Sequence, residues 1–317
     1  MGTILSGNAT SAQLIAFVVA LRAKGESSAE LAGLLDAVLA HVQLVPLTEE
    51  QRDAAVDIVG TGGDHSHSIN VSTMAAIVTA GAGIPVCKHG ARGASSKCGT
   101  ADVLEELGVD IELSPEQVRA CIDESGMGFC FAPAFHSAFR FAAPSRAEIG
   151  IPTVFNLLGP MANPGRVRRQ VIGVANAAFA ERRVETLRTH GSIHSWVVHG
   201  GGLDELTTTG RSDVIELRDG EIDHFTVDPA ALGLARARPE DLTGGDRDVN
   251  AAAVRAVLAG TPGPHRDIVL LNAAAGILVG GAADTLEDGL ELAARSIDSG
   301  DAADTLERFV AASRATP

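Results

Sequence analysis

Apolar residues recur with helical spacing over the first fifty positions of the chain. Leu14, Phe17, Val18 and Leu21 fall on one face, and Leu31, Leu34, Leu35, Val38 and Leu39 repeat the pattern further along. Ser27 followed by Glu30 supplies a capping box at the start of the second segment. No strand pattern interrupts this stretch, which predicts a small helical unit. At Asp57-Ile58-Val59 the pattern changes to a short apolar run that ends in Gly60-Thr61-Gly62-Gly63-Asp64, as a buried parallel strand does when it delivers a loop to a sheet edge. Beyond it the spacing predicts a helix from Asn70, a strand at Pro85-Val86-Cys87 and a helix over 101–107. Ser114-Pro115-Glu116-Gln117 combines an N-cap, a proline at the first helical position and a capping partner, so another helix starts there. Val171-Ile172-Gly173-Val174, Ser195-Trp196-Val197-Val198 and Ile268-Val269-Leu270-Leu271 have strand length, and the Ala-rich final third is helical by propensity. The alternation predicts an α/β fold, a large α/β domain with a mostly parallel central sheet plus a small all-helical domain.

Composition narrows the function. The 317 residues carry 40 acidic and 25 basic side chains, a formal charge of -15, which repels nucleic acid and anionic membrane over most of the surface. Aromatic content of 3%, with one Trp and no Tyr, supplies few platforms for stacking bases. The start, MGTILSGNAT, lacks the pattern of a secretory leader, and no apolar run reaches bilayer length, so a cytoplasmic protein is expected, with no nucleic-acid or membrane partner. Cys87, Cys98, Cys121 and Cys130 show no C-x-x-C spacing and read as small buried side chains of a reducing compartment.

Three loops carry candidate chemistry. Gly60-Thr61-Gly62-Gly63-Asp64 places unhindered backbone N–H groups after a strand, suited to a phosphate or to a tight turn. It is not a Walker loop, and the dinucleotide pattern fails because His65 stands at its last glycine position. Asn70-Val71-Ser72-Thr73 opens a helix with small polar groups, fit for an anion, for a metal-bound water or for an ordinary cap. From Lys88 to Thr100 the chain gathers Lys88, His89, Arg92 and Lys97 with Ser95, Ser96 and three glycines. In an acidic protein that concentration points to phosphate binding by a cationic loop following a strand.

Together with Ala101-Asp102-Val103-Leu104-Glu105, Phe131-Ala132-Pro133, His136, the run Thr153-Val154-Phe155-Asn156-Leu157-Leu158-Gly159-Pro160, Asn163-Pro164 and Gly202-Leu203-Asp204-Glu205, these loops resemble the anthranilate phosphoribosyltransferase family over nearly the whole chain. The resemblance implies a helical domain over residues 1–56, with contributions from 140–155, and an α/β domain over 57–317. It also implies a homodimer through the helical domain and an active site in the cleft between the two domains. By similarity, Gly60, Thr61, Gly62, Gly63, Asp64, Ser68, Asn70, Val71, Ser72, Thr73, Lys88, His89, Gly90, Ala91, Arg92, Ser95, Ser96 and Thr100 bind phosphoribosyl pyrophosphate. Ser72, Asp204 and Glu205 match the family's magnesium positions, while Gly60, His89, Ala91, His136 and Arg146 fall to the aromatic acceptor. Lys88, Asp204 and Glu205 are the expected catalytic residues.

The chemistry fits those residue types. Breaking a C1–O bond to diphosphate builds positive charge on the sugar and negative charge on the leaving group, so catalysis is chiefly positioning and charge stabilisation. Magnesium favours oxygen ligands such as Asp204 and Glu205, and Lys88 supplies a point charge for the leaving group. An arylamine is neutral at pH 7, so no strong general base is expected, and Arg146, in the loop-like stretch Pro144-Ser145-Arg146, offers a fork to a ring carboxylate. The chain departs from the family at Ala91, where asparagine is usual, at Ser137, where proline is usual, and at Cys98, where a small hydroxyl residue is common. Ala91 leaves open a different aromatic amine as acceptor. Two remoter readings are a pyrimidine nucleoside phosphorylase and a nucleic-acid-binding relative on the same scaffold.

Overall fold

The computed structural model describes residues 1–64, 66–93 and 97–315. Four helices, Gly2–Leu5, Ser11–Lys24, Ser28–Leu39 and Glu49–Ala54, precede the first strand. The last three begin on capping boxes, with Thr10, Ser27 and Thr48 accepting from the backbone three residues on while Gln13, Glu30 and Gln51 reach back. Leu14, Val18 and Leu21 are buried, but Phe17 of the expected apolar face is 38% exposed. The helix is apolar on most sides between Leu14 and Leu21, so spacing by itself does not select the inward face.

Seven strands form one sheet: β1 Val56–Gly60, β2 Val86–Gly90, β3 Met127–Phe131, β4 Arg169–Gly173, β5 His194–His199, β6 Ser212–Arg218 and β7 Glu221–Val227, in the order β3-β2-β1-β4-β5-β6-β7. β1 to β5 are parallel, and β6 and β7 add an antiparallel edge. Helix-strand alternation does not anticipate that edge hairpin. Its signal is Asp219-Gly220, both at positive φ, a two-residue turn that suits the twist of paired strands. Ile268-Val269-Leu270-Leu271, expected as a strand, lies instead within the helix Pro264–Gly280. All residues from Ile268 to Val279 are buried, so the helix has no polar face to reveal its period, and only its length distinguishes it from a strand. The stretch around Arg146 is likewise helical, Ala143–Ile149, rather than loop.

Alternation along the strands sorts the interior. Ile58, Val171, Trp196 and Val198 share a core with the helices Val71–Gly81 and Pro264–Gly280. Their neighbours Val59, Ile172 and Val197 share the other with Leu14, Val18, Leu31, Leu35 and Phe155. The amino-terminal helices therefore complete their core on the second face of the sheet. Strand order reverses between β1 and β4, and a sheet of this type opens a ligand crevice at the carboxyl ends of such a pair, here Gly60 and Gly173. Among the described residues no helix is long and apolar enough to cross a membrane.

Candidate active site

Residues 200–205, which follow β5, fold over this crevice. Asp204 Oδ2 accepts the Gly62 N–H at 2.6 Å, and Glu205 Oε1 accepts the Ser72 N–H at 3.2 Å. Lys88 Nζ donates to the Ile58 carbonyl and lies 3.3 Å from Ser72 Oγ. One chain of contacts thus joins Gly62, Asp204, Glu205, Ser72 and Lys88, drawn from four separate stretches of sequence. Close approach explains why Gly60 and Gly173 lack side chains, since a Cβ on either would overlap Asp204. Gly62 and Gly63 adopt φ of 67° and 75°, a region costly for other residues, and such turns gather successive N–H groups around an anion.

Burial governs the electrostatics. Asp204 is raised to about 7, first by desolvation and then by the charge of Asp64, and Glu205 is pushed well above the carboxylate range by burial and by Asp204. Desolvation lowers Lys88, opposed by Asp57, Glu205 and Asp204. Asp57 is itself raised to about 6 by burial, with Lys88 and Asn163 acting the other way; it accepts from His89 N at 3.1 Å and Asn163 Nδ2 at 2.8 Å. Asp204 and Glu205, with Asp64 near enough to raise both, offer carboxylate oxygens of the kind a divalent cation takes. Among the described residues no three His, Cys, Asp or Glu side chains form a metal cage, so a cation here needs oxygens from substrate and water, which is the habit of magnesium.

The cationic stretch is not one loop. Lys88 and His89 belong to β2 and are buried, because a strand end places its side chains beneath the loop it delivers. Arg92 is held by Glu105, at 2.9 Å for one contact, and by Asp102, so acidic neighbours already occupy this guanidinium; Arg247 meets the same two carboxylates. Asp102 Oδ2 also accepts N–H groups of Gly93 and Gly99 at 3.0 and 2.9 Å, pinning both ends of the loop. Ser95 and Ser96 lie outside the described residues. Thr73 Oγ1 and Thr100 Oγ1 are 3.2 Å apart, and Asn70 Nδ2 donates to the Cys98 carbonyl at 3.2 Å, which ties the second loop to the third. Thr61 Oγ1 accepts from Ala175 N at 3.2 Å, Asp64 Oδ1 accepts from Ser66 N at 3.2 Å, and the Val71 side chain is buried in the core. Ser68 borders a cavity of about 370 Å³ with His67, Lys97, Cys98, Gly244 and Asn250.

The acceptor candidates form a different kind of cluster. His89 and His136 meet Nε2 to Nε2 at 3.1 Å. Desolvation lowers His136 to about 4, and burial, then His136 and Lys88, hold His89 well below its usual range, so both rings are neutral at pH 7. His136 stacks on Phe139, Phe139 meets Phe155 edge-on, and the Arg146 guanidinium lies 5.0 Å from the Phe155 centroid. Arg146 has no ion-pair partner among the described residues, and burial lowers its pKa. Ala91 is exposed at the end of β2, after Gly90. Sequence reasoning did not single out Asp57, Arg247 or Asn250. A carboxylate inside the apolar run of β1 and the polar residues beside Gly244-Gly245 were the available signals.

Two family descriptions match the chain. The helical bundle domain of a glycosyl transferase family covers residues 1–42, and the a/b domain of a glycosyl transferase family covers 52–303. Fold and site thus define a glycosyl transferase. A relative called anthranilate phosphoribosyltransferase from Mesorhizobium japonicum is 49% identical over 307 residues, 97% of this chain and 90% of that protein. The crystal structure of the Thermus thermophilus enzyme of that name superposes with a TM-score of 0.94 at 41% identity, covering 99% of this chain and 93% of the other. The Saccharomyces cerevisiae enzyme of that name, solved in complex with PRPP and Mg, gives a TM-score of 0.87 at 30% identity over 96% of this chain and 85% of its own; another structure of it holds 4-fluoroanthranilate. The chain belongs to the anthranilate phosphoribosyltransferase family.

Proposed function

We infer that this protein transfers the phosphoribosyl group of phosphoribosyl pyrophosphate to the amine of anthranilate with release of diphosphate, a step of tryptophan biosynthesis. The linkage of Gly62, Asp204, Glu205, Ser72 and Lys88 at the sheet's switch point carries this reading. The N–H groups of the Gly60 to Asp64 loop and of the loop after β2 cradle the diphosphate, with Ser68, Asn70, Thr73 and Thr100 at its edges. Ser72, Asp204 and Glu205 hold magnesium, which when bound neutralises charge on the diphosphate oxygens. Lys88 balances the buried carboxylates and favours the charged leaving group. Arg146 pairs with the ring carboxylate, and the neutral His89–His136 pair with Phe155 offers a dry wall to the ring.

The same reading makes the protein a cytoplasmic homodimer with a helical domain over 1–56 and 140–155 and an α/β domain over 57–317. Ala91, which presents no amide to the acceptor, favours a second reading in which another aromatic amine is the natural substrate. Incubation with phosphoribosyl pyrophosphate, magnesium and a panel of aromatic amines, following diphosphate release, tests both. Release with anthranilate fastest supports the first reading, a different amine fastest supports the second, and release with none ends the transferase assignment.

A further inference from the structure

Asn70 is the N-cap of the helix Val71–Gly81, yet its side chain makes no capping hydrogen bond. An asparagine in that place ordinarily accepts from the N–H two or three residues on. Here it is drawn elsewhere. Asn70 Oδ1 accepts from Asn250 Nδ2 at 2.7 Å, and Asn70 Nδ2 donates to the Cys98 carbonyl at 3.2 Å. Asn250, in the helix Arg247–Leu258 and only 1% exposed, accepts the Gly245 N–H on its Oδ1 at 2.7 Å.

The direction of this chain is fixed at both ends by backbone. Gly245 N–H can only donate, so the Asn250 oxygen must face it and its NH₂ must face Asn70. Asn70 then has to turn its oxygen to Asn250 and its NH₂ to the Cys98 carbonyl, which can only accept. One amide hydrogen of Asn70 remains over. We propose that Asn250 is a positioning residue that sets the polarity of Asn70, so that Asn70 meets the sugar diphosphate as a donor to its oxygens rather than as an acceptor. This rests on the assignment of Asn70 to the phosphoribosyl pyrophosphate site. Arg247, on the same helix, meets Asp102 and Glu105 of the neighbouring loop anchor, so the helix braces two of the three phosphate loops at once.

Asn250→Asp keeps the volume and reverses the polarity. Its carboxylate still accepts from Gly245, but its other oxygen faces Asn70, so that amide must turn over, giving up its bond to the Cys98 carbonyl and presenting an oxygen to the diphosphate. Calorimetric titration with magnesium phosphoribosyl pyrophosphate reads the effect in the wild type, Asn250→Asp, Asn250→Ala, Asn70→Ala and the Asn70→Ala, Asn250→Asp pair. Asn250→Asp should weaken donor binding by about tenfold or more, with the KM for anthranilate unchanged to about twofold. Asn250→Ala, which frees Asn70 without reversing it, should fall between wild type and Asn250→Asp. The double variant should bind no more weakly than Asn70→Ala to within about twofold, because the effect passes through Asn70. A further loss on adding Asn250→Asp to Asn70→Ala would mean direct repulsion of the diphosphate and would overturn the proposal. So would Asn250→Ala binding more weakly than Asn250→Asp, the order expected of a residue that only fills space. A flat titration of the wild type would instead remove the donor assignment beneath it.

Discussion

Around Gly62 the parts are ionisable and held by backbone, whereas around His136 they are neutral rings held by ring contacts. In the first region Asp204 and Glu205 are fixed by N–H groups of Gly62 and Ser72 on separate elements, so the carboxylates stand ready before any ligand arrives. In the second, His89, His136, Phe139 and Phe155 touch in series and Arg146 lies at the far end with no counter-ion among the described residues. The contrast follows the two substrates. A sugar diphosphate needs fixed charge and preorganised N–H donors, while an aromatic acid needs an apolar slot and one cation. Changes in the first region should therefore destroy turnover, and changes in the second should mainly alter the affinity for one substrate.

The sharpest break in that contrast is Asp204→Asn with Glu205→Gln. Turnover should fall by about a thousandfold, since magnesium loses both carboxylates. Stability should move the other way. Asp204 has its folded pKa raised to about 7 from 3.8, so the stability tied to its neutral form is present below 3.8 and lost as pH rises through about 7. At pH 8 the double variant should melt above the parent, and at pH 5 the gap should narrow. Scanning calorimetry at both pH values measures this, and a variant that melts lower at pH 8 would show that the carboxylates hold the fold together.

Arg146→Ala tests the other half. The KM for anthranilate should rise by roughly ten- to a hundredfold, the loss of one charge-assisted fork, with the donor KM little changed. A rise confined to the donor would place Arg146 on the wrong side of the crevice. Next in size is a pH effect belonging to the charged half alone. Protons compete with magnesium for Asp204, so the magnesium concentration giving half-maximal rate should climb by up to about tenfold per unit as pH falls below about 7. The KM for anthranilate should stay level over that range, because His136, at about 4, remains neutral.

The charged half was also the legible half. Glycines that leave a strand, small polar residues that open a helix and an Asp-Glu pair in a glycine-rich loop have local signatures, and the fold brought them together where strand order reverses. The neutral half has no such signature. That His89 sits buried in β2 against His136, 47 positions along the chain, is a product of strand pairing and of the short helix Ala132–Phe135, which no local spacing encodes. The partners of Arg92 were hidden for a similar reason, since the carboxylates that engage it lie on the next helix. In the fold, capping boxes and strand-to-loop transitions were readable. The helix Pro264–Gly280 was not, because burial of every residue from Ile268 to Val279 erases the polar stripe from which helical period is inferred.

The smallest expected effect sits where the two halves meet. Ala91 follows directly on β2, between buried His89 and the loop pinned by Asp102, and the family's usual asparagine there adds an amide able to hydrogen-bond the acceptor. Such a bond contributes about 0.5 to 1.5 kcal/mol, so Ala91→Asn should improve kcat/KM for anthranilate by roughly two- to tenfold. The donor KM should not move, because the N–H groups proposed to cradle the diphosphate are backbone and remain in place. If anthranilate use falls instead while a different aromatic amine is still accepted, the alanine is an adaptation to that amine. The acceptor half would then be tuned by what it omits as much as by Arg146.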